Sequence, residues 1–335
     1  MIEYLKFLLI YLTLASVIIL CSNYYSFFDN PNSKRKIHSV STLNTGGLII
    51  CLFFLVTIFL EKFNPKIELI VLTGVIICAV GFIDDRIDLT PSIKVTLIIL
   101  PSIFLIFNGI SITDLGVYEY IGKISLGNFS IPFLILAIGL LINATNYIDG
   151  VDGLLLVFFS SCLIYYMFLI EDNSTIKLIK IFIIPVILNL ILNLLPVKTK
   201  LKIFNGNTGS LFIGFFISFI TIELYGGYNI HPAFLIWPLW YPVYDFLFVS
   251  IYRLIKKKSI FDADNSHLHH YMLKKFNNNH LKTIIVFFSF NSLIIYFGYF
   301  VSDISKFLSL IMFALIFLVY FFLRINLKIE NHKKN

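Results

Sequence analysis

Eleven runs of apolar residues govern what this chain can fold into: about 4–22, 46–61, 67–83, 94–109, 131–147, 154–170, 179–196, 210–225, 233–252, 283–301 and 305–323. A bilayer core about 30 Å thick asks for about 20 such residues in a helix. Within it the backbone has no water to pair with, so helices that satisfy their own hydrogen bonds are the expected solution. Charged residues make up 13% of the chain, against about 25% in an ordinary soluble domain, which excludes that class. The second run is short and the ninth carries Pro238 and Pro242, so their ends are the least defined. The expected fold is an all-α, polytopic integral membrane protein with about 11 transmembrane helices.

An odd number of crossings puts the termini on opposite sides, and basic residues indicate which is which. If the loop after the first run is cytoplasmic, that face holds nineteen Lys and Arg residues and the other face seven. Positive charge concentrates on the cytoplasmic side, so the N-terminus is expected outside and the C-terminus in the cytoplasm. The net charge of +7 then belongs to a rim facing anionic lipid and calls for no nucleic acid. Cys21, Cys51, Cys78 and Cys162 sit in or beside apolar runs, without metal-ligand spacing, and read as small core residues. The first run lacks a small-residue cleavage site and reads as a retained helix.

Four polar clusters interrupt this background: Gly81–Asp88, Asn143–Gly153, Asn205–Ser210 and His267–His270. They follow the third, fifth, seventh and ninth runs, so alternation delivers all four to the cytoplasmic face, beside the basic loop Lys34–His38. A channel or carrier would set ionisable groups along a path through mid-membrane. Chemistry gathered on one side suggests an enzyme that brings a water-soluble substrate to a lipid. Asp84 and Asp85 stand at a helix end, and Asp149 and Asp152 are spaced i, i+3 between Gly150 and Gly153. Carboxylates, Asn oxygens and substrate phosphates form the usual ligand set of Mg²⁺. The Gly206–Gly209 loop is expected to open a helix from Ser210 onward, whose free N–H groups favour anions. Each cluster alone has a structural explanation, as a cap or a turn. Their coincidence on one face describes a diphosphate site.

In order along residues 29–275, the motifs resemble the polyprenyl-phosphate N-acetylhexosamine-1-phosphate transferase family, glycosyltransferase family 4. The carriers are Asp29, Pro31, Asn32, Arg35, His38 and Gly46-Gly47; then Gly81, Asp84, Asp85, Leu89 and Lys94; then Asn143, Asn146, Asp149, Gly150, Asp152, Gly153 and Leu154; then Lys202-Ile-Phe204 and Gly206-x-x-Gly209-Ser210; and last Asp245, Arg253, Ser259, Phe261, Asp264 and His267-Leu-His-His270. Eleven runs and the His-x-His-His motif are similar to the branch that initiates O-antigen, teichoic acid and related polymers. The resemblance implies a single transferase domain over 1–335, with 276–335 adding two spans and a basic tail. It implies transfer of sugar-1-phosphate from a UDP-N-acetylhexosamine to polyprenyl (undecaprenyl) phosphate, with release of UMP. The setting would be the bacterial inner (cytoplasmic) membrane, among its lipids, with the active site facing the cytoplasm and a homodimer as one open assembly.

Carried over residue by residue, the resemblance gives Asp84 and Asp85 the catalytic positions, orienting or deprotonating the lipid phosphate. Asn146 and Asn207 fall at the metal positions, for Mg²⁺ or alternatively Mn²⁺. Lys94, Asp149, Asp152, Phe204, His267, His269 and His270 would bind the nucleotide sugar and its diphosphate. Arg35 and His38 belong to the basic loop that would meet the lipid phosphate. Two positions depart from the pattern. Asn207 stands where the family carries a metal-binding Asp, removing a full charge from beside a dication, and Asn265 stands where the branch often has Arg. Asn207 leaves open a catalytically weak or inactive relative that binds nucleotide sugar; a lipid-linked-sugar transporter is the competing class.

Overall fold

The computed structural model describes residues 2–29, 41–171, 173–196, 198–257, 259 and 267–334. Arg35 and His38, with the rest of their basic loop, lie outside the described residues, as do Phe261, Asp264 and Asn265. The helices are α1 (Ile2–Tyr24), α2 (Gly46–Leu60), α3 (Pro65–Ile87), α4 (Pro91–Phe107), α5 (Ser130–Ile148), α6 (Leu154–Leu169), α7 (Asn173–Asn193), α8 (Gly206–Gly226), α9 (Pro232–Leu235), α10 (Trp240–Ile255), α11 (Leu268–Lys275), α12 (His280–Ile304) and α13 (Lys306–Lys334). Among the described residues, eight helical segments are long and apolar enough to cross a membrane, and α2, α4 and α6 are shorter apolar helices. Together they coincide with the eleven apolar runs. At the ninth, Pro232 just before the run and Pro238 within it sit where missing N–H groups cost least, at helix starts, and the run is split into α9, a 3₁₀ turn and α10.

Short strands join parts of the chain that the apolar pattern leaves unconnected. β1 (Phe28–Asp29) pairs antiparallel with β2 (Thr42–Asn44), and β2 pairs parallel with β5 (Ile203–Phe204). This small sheet ties the chain entering α2 to the chain entering α8. At the opposite end of the bundle, β3 (Asp114–Tyr118) and β4 (Gly122–Ser125) form a hairpin between α4 and α5.

The bundle is organised around α8. Within the most apolar stretch of each helix, 83% of α8 is buried inside the protein, against 17% of α13. Lipid tails are as apolar as Leu, so close packing rather than water exclusion holds such helices together. Two features provide it. Phe54 stacks on Phe182 with ring centroids 3.6 Å apart, and Phe212 and Phe216 meet Phe54 edge-on. Glycines also admit backbones to near contact: a Cβ on Gly47 of α2 would lie 2.1 Å from the Gly209 nitrogen, and one on Gly81 of α3 would lie 2.5 Å from the Asn207 carbonyl oxygen. Both close approaches fall at the first turn of α8.

Candidate active site

The first turn of α8 is the point on which the polar clusters converge. The helix begins at Gly206, four residues before the expected Ser210, with Gly206 at φ +64°. Asn207 and Thr208 therefore belong to its first turn, where N–H groups have no partner within the helix, while the Gly209 N–H already reaches the Asn205 carbonyl at 3.0 Å. Asp85 takes two of them. Its Oδ1 accepts from the Asn207 N–H at 2.9 Å, and its Oδ2 accepts from the Thr208 N–H at 3.0 Å and the Thr208 hydroxyl at 2.7 Å. Gly81, one helical turn before Asp85, makes this possible by letting α3 lie against α8. The spacing of Gly81 and Asp85 is thus a packing requirement followed by a cap.

Asp84 turns elsewhere. Its Oδ1 accepts from the Leu89 N–H at 2.9 Å and its Oδ2 pairs with Lys94 Nζ at 2.7 Å, closing the α3–α4 turn. Lys94, expected on the diphosphate, is thereby held on Asp84. Asp152 is similarly engaged: its Oδ2 pairs with buried Lys202 at 2.7 Å, and Lys202 also donates to the carbonyls of Asn193 and Leu195. A lysine taken out of water needs such a saturated environment. Lys202 lies 5.4 Å from the centroid of the Phe204 ring, so this ion pair also braces the strand that carries Phe204.

The two positions expected to hold metal are in direct contact. Asn146 Nδ2 donates to Asn207 Oδ1 at 2.6 Å and to Ser210 Oγ at 2.8 Å. Asp149 joins them through Asn205, whose Nδ2 donates to Asp149 Oδ1 at 3.1 Å. Burial pushes the Asp149 carboxyl up to about 8 against the pull of the Asn205 amide, and Asp85 and Asp152 add to the rise. A hard divalent cation takes oxygen ligands, one or two of them carboxylate, and leaves the rest to phosphate and water. Asn146, Asn207 and Asp149 provide that donor chemistry, and the buried Asn205 Oδ1 beside them has no hydrogen-bond partner. The residues therefore fit Mg²⁺, whose binding would displace the proton that burial holds on Asp149. Among the described residues no group of three or more His, Cys, Asp or Glu is placed to hold a metal, so such a site would rest on amide oxygens and a single carboxylate.

The histidine motif closes the other side. A cavity of about 200 Å³ is lined by Asn146, Tyr147, Asp149, Arg253, His267 and His270 among others. Gly150 brings the α5–α6 loop against the motif: a Cβ there would meet His270 Cε1 at 2.6 Å. The His267 and His269 rings stack with centroids 5.5 Å apart. His267 Nδ1 lies 2.7 Å from Asp245 Oδ2, and His269 Nδ1 lies 2.8 Å from the Tyr241 hydroxyl. Burial, with the neighbouring His270 and His267, holds His269 well below the ordinary imidazole range. It is neutral at pH 7 and offers hydrogen bonding rather than charge, unlike the cationic clamp expected of three histidines.

Asp245, Tyr241, Asn205 and Thr208 do more in this arrangement than their place in the sequence indicates. Asp245 carried a signal, as an ionisable residue inside an apolar run, where such residues are costly and functional. Asn205 and Thr208 carried none beyond membership of a polar loop.

A family model described as Glycosyl transferase family 4 matches residues 67–225. The chain is 28% identical over 258 residues to the undecaprenyl-phosphate alpha-N-acetylglucosaminyl 1-phosphate transferase of Escherichia coli O157:H7, covering 73% of this chain and 69% of the relative. The proteins of the same name from Salmonella typhi and Yersinia pestis are 28% and 27% identical, each over 73% of this chain and 69% of the relative.

Proposed function

We propose, from the premise that the chain belongs to glycosyl transferase family 4, that it moves a sugar-1-phosphate from a UDP-N-acetylhexosamine to polyprenyl phosphate and releases UMP. One observation carries this reading. Asp85, Asn146 and Asn207 form one hydrogen-bonded unit on the first turn of α8, and the Asp149–Gly150 loop and the histidines enclose a cavity beside it. The relatives named for this chemistry act on undecaprenyl phosphate and an N-acetylglucosaminyl 1-phosphate group, and that assignment extends here to the class of reaction. The basic rim supports a bacterial cytoplasmic membrane with this cavity facing the cytoplasm.

In this reading a phosphate oxygen of the polyprenyl phosphate attacks the phosphorus that bears the sugar. A new P–O bond forms, the bond to the bridging diphosphate oxygen breaks, and UMP leaves with its electron pair. A phosphate monoester has a second pKa near 6, so the nucleophile needs no base at neutral pH. Asp84 and Asp85 accordingly position groups: Asp85 fixes the turn that carries Asn207, and Asp84 with Lys94 fixes the α3–α4 corner. Mg²⁺, or Mn²⁺ in its place, would be held by Asn146, Asn207 and Asp149 and supplies neutralisation of the diphosphate charge. His267 and His270 donate to diphosphate oxygens from the cavity wall, and His269 supports them as a neutral ring. Phe204 offers a face for the uracil, with Asp152 and Lys202 bracing its strand. Alignment and preorganised charge account for the catalysis.

The test is purified protein in detergent with UDP-[¹⁴C]GlcNAc and undecaprenyl phosphate. Labelled lipid should form with Mg²⁺ and fail to form without the lipid acceptor; no labelled lipid under any condition would refute the reading. Asn207→Asp restores a charge beside the dication, where an ion pair is worth several kcal/mol at protein-like dielectric. It should tighten Mg²⁺ binding by calorimetry at least several-fold and lower the Mg²⁺ requirement. Asn207 also supports a second reading, a nucleotide-sugar binder of slow turnover. That reading predicts stabilisation by UDP-GlcNAc without labelled product. A transporter of lipid-linked sugar would show neither.

A further inference from the structure

The last apolar helix lies outside residues 67–225 and outside the motif-bearing stretch, yet it reaches the histidine motif. Asp245 in α10 is 3% exposed, and four groups converge on its carboxylate. Oδ2 takes His267 Nδ1 at 2.7 Å. Oδ1 accepts from the Leu268 N–H at 3.1 Å and from the Tyr320 hydroxyl at 2.6 Å. Arg324 Nη2 stands 3.7 Å from the same oxygen, with its guanidinium 4.9 Å from the Phe248 ring centroid. Tyr320 and Arg324 are one turn apart on α13, and Arg324 is 3% exposed.

A buried carboxylate facing one imidazole would draw the proton and could swing with it. Held from the other side by a hydroxyl and a guanidinium, it is fixed in place. The Nδ1 edge of His267 is then committed to Asp245, which leaves only Nε2 for a ligand in the cavity that His267 lines. Taking the Arg324 guanidinium out of water carries a high cost, and the partners that meet it are Asp245 and the face of Phe248.

We propose that α13 is a positioning element of the active site: Tyr320 and Arg324 hold Asp245, and Asp245 holds His267 with Nε2 turned to the diphosphate. This rests on the proposed transferase reading and extends the working part of the protein to its last span.

The experiment is a double-mutant cycle on the full chain, read as kcat/KM for UDP-GlcNAc. Tyr320→Phe should lower it about 10-fold and His267→Gln about 100-fold, from the loss of a hydrogen bond to a charged group. The double variant should be no worse than His267→Gln, because Tyr320 acts only through that ring. Arg324→Met should fall with Tyr320→Phe, and Arg324→Lys, which keeps the charge but not the planar fork, should recover only part of that loss. Where His267→Gln turns over too slowly to measure, the same cycle is read on calorimetric Kd for UDP-GlcNAc. Losses that multiply in the double variant would mark a general packing effect and overturn the proposal, as would Tyr320→Phe at wild-type rate. Wild-type protein that neither binds UDP-GlcNAc nor makes labelled lipid would instead overturn the transferase reading and this proposal together.

Discussion

The two ends of the helix bundle carry charged residues in similar variety, but they use them differently. At the end away from the site, four of the described acids are held by named partners. Glu61 pairs with Lys6 at 3.0 Å and Lys177 at 3.2 Å, Glu223 with Lys66 at 3.3 Å, and Asp114 with Lys123 at 3.1 Å and with the Tyr225 hydroxyl. Glu119 caps α13, accepting from the N–H groups of Lys306 and Phe307 at 2.9 and 2.7 Å. At the site end some acids are matched as well, but buried polar atoms are left over: Asn44 Oδ1, Thr45 Oγ1, Asn205 Oδ1 and His269 Nε2 have no hydrogen-bond partner. A buried acceptor without a donor costs about 1–3 kcal/mol. The far end meets these acids from within the protein, whereas the site end leaves hydrogen-bonding atoms facing the substrates proposed above.

That contrast sets the order of expected effects. The largest is Asp85→Asn, which leaves the first turn of α8 with one acceptor too few. Turnover in the labelled-lipid assay should drop by roughly two orders of magnitude, and a near wild-type rate would remove Asp85 from its positioning role. Next comes Gly47→Ala, whose new Cβ would lie 2.1 Å from the Gly209 nitrogen. Overpacking of this kind costs about 3 kcal/mol, seen as a lower unfolding midpoint, whereas Gly139→Ala in α5 meets nothing within 4 Å and should leave the midpoint unchanged or raise it. Equal effects at the two glycines would erase the distinction drawn here.

Smaller effects come from the far end and from titration. Glu119→Gln should leave turnover within about two-fold of wild type. The backbone N–H groups of Phe307 and Lys306 hold the Glu119 carboxyl down to about 2, so its contribution to stability is present above the ordinary range and is lost as pH falls through about 2. Glu119→Gln should remove that acid-side loss. Asp149 runs the other way. With its carboxyl pushed up to about 8, its stabilising contribution is complete below the ordinary carboxylate range, near about 4, and is lost as pH rises through about 8. Asp149→Asn should flatten the unfolding midpoint across that window when divalent cation is absent, and an unchanged slope would mean the carboxyl is not buried as described.

Much of this was legible in the sequence because hydrophobic length and alternation are one-dimensional. Ten of the eleven apolar runs fall on single helices and the ninth on α9, a 3₁₀ turn and α10, and the described polar clusters after the third, fifth, seventh and ninth runs meet at one end. What the sequence left hidden depends on how helices are turned about their axes. Asp84 and Asp85 are neighbours, yet one faces α4 and Lys94 while the other faces α8. Asp152 looked like a ligand and is held by Lys202, which comes from a loop fifty residues later. The start of α8 was placed too late because Asn207, Thr208 and Gly209 are poor helix formers in isolation, and the cap from Asp85 that favours them comes from another helix. Asp245 stands out as a charge inside an apolar run, whereas Arg324 sits just past the eleventh run and reads as part of the basic rim; their partners lie 22 and 79 residues away.

If the end with unmatched polar atoms is a reaction centre, it must release UMP only when the lipid acceptor is present. UMP release from UDP-GlcNAc by the purified wild-type chain, with and without undecaprenyl phosphate, reads this most directly. Release that depends on the lipid and collapses in Asp85→Asn but persists in Glu119→Gln is the predicted result. Lipid-independent release, or release equally sensitive to both substitutions, would contradict it.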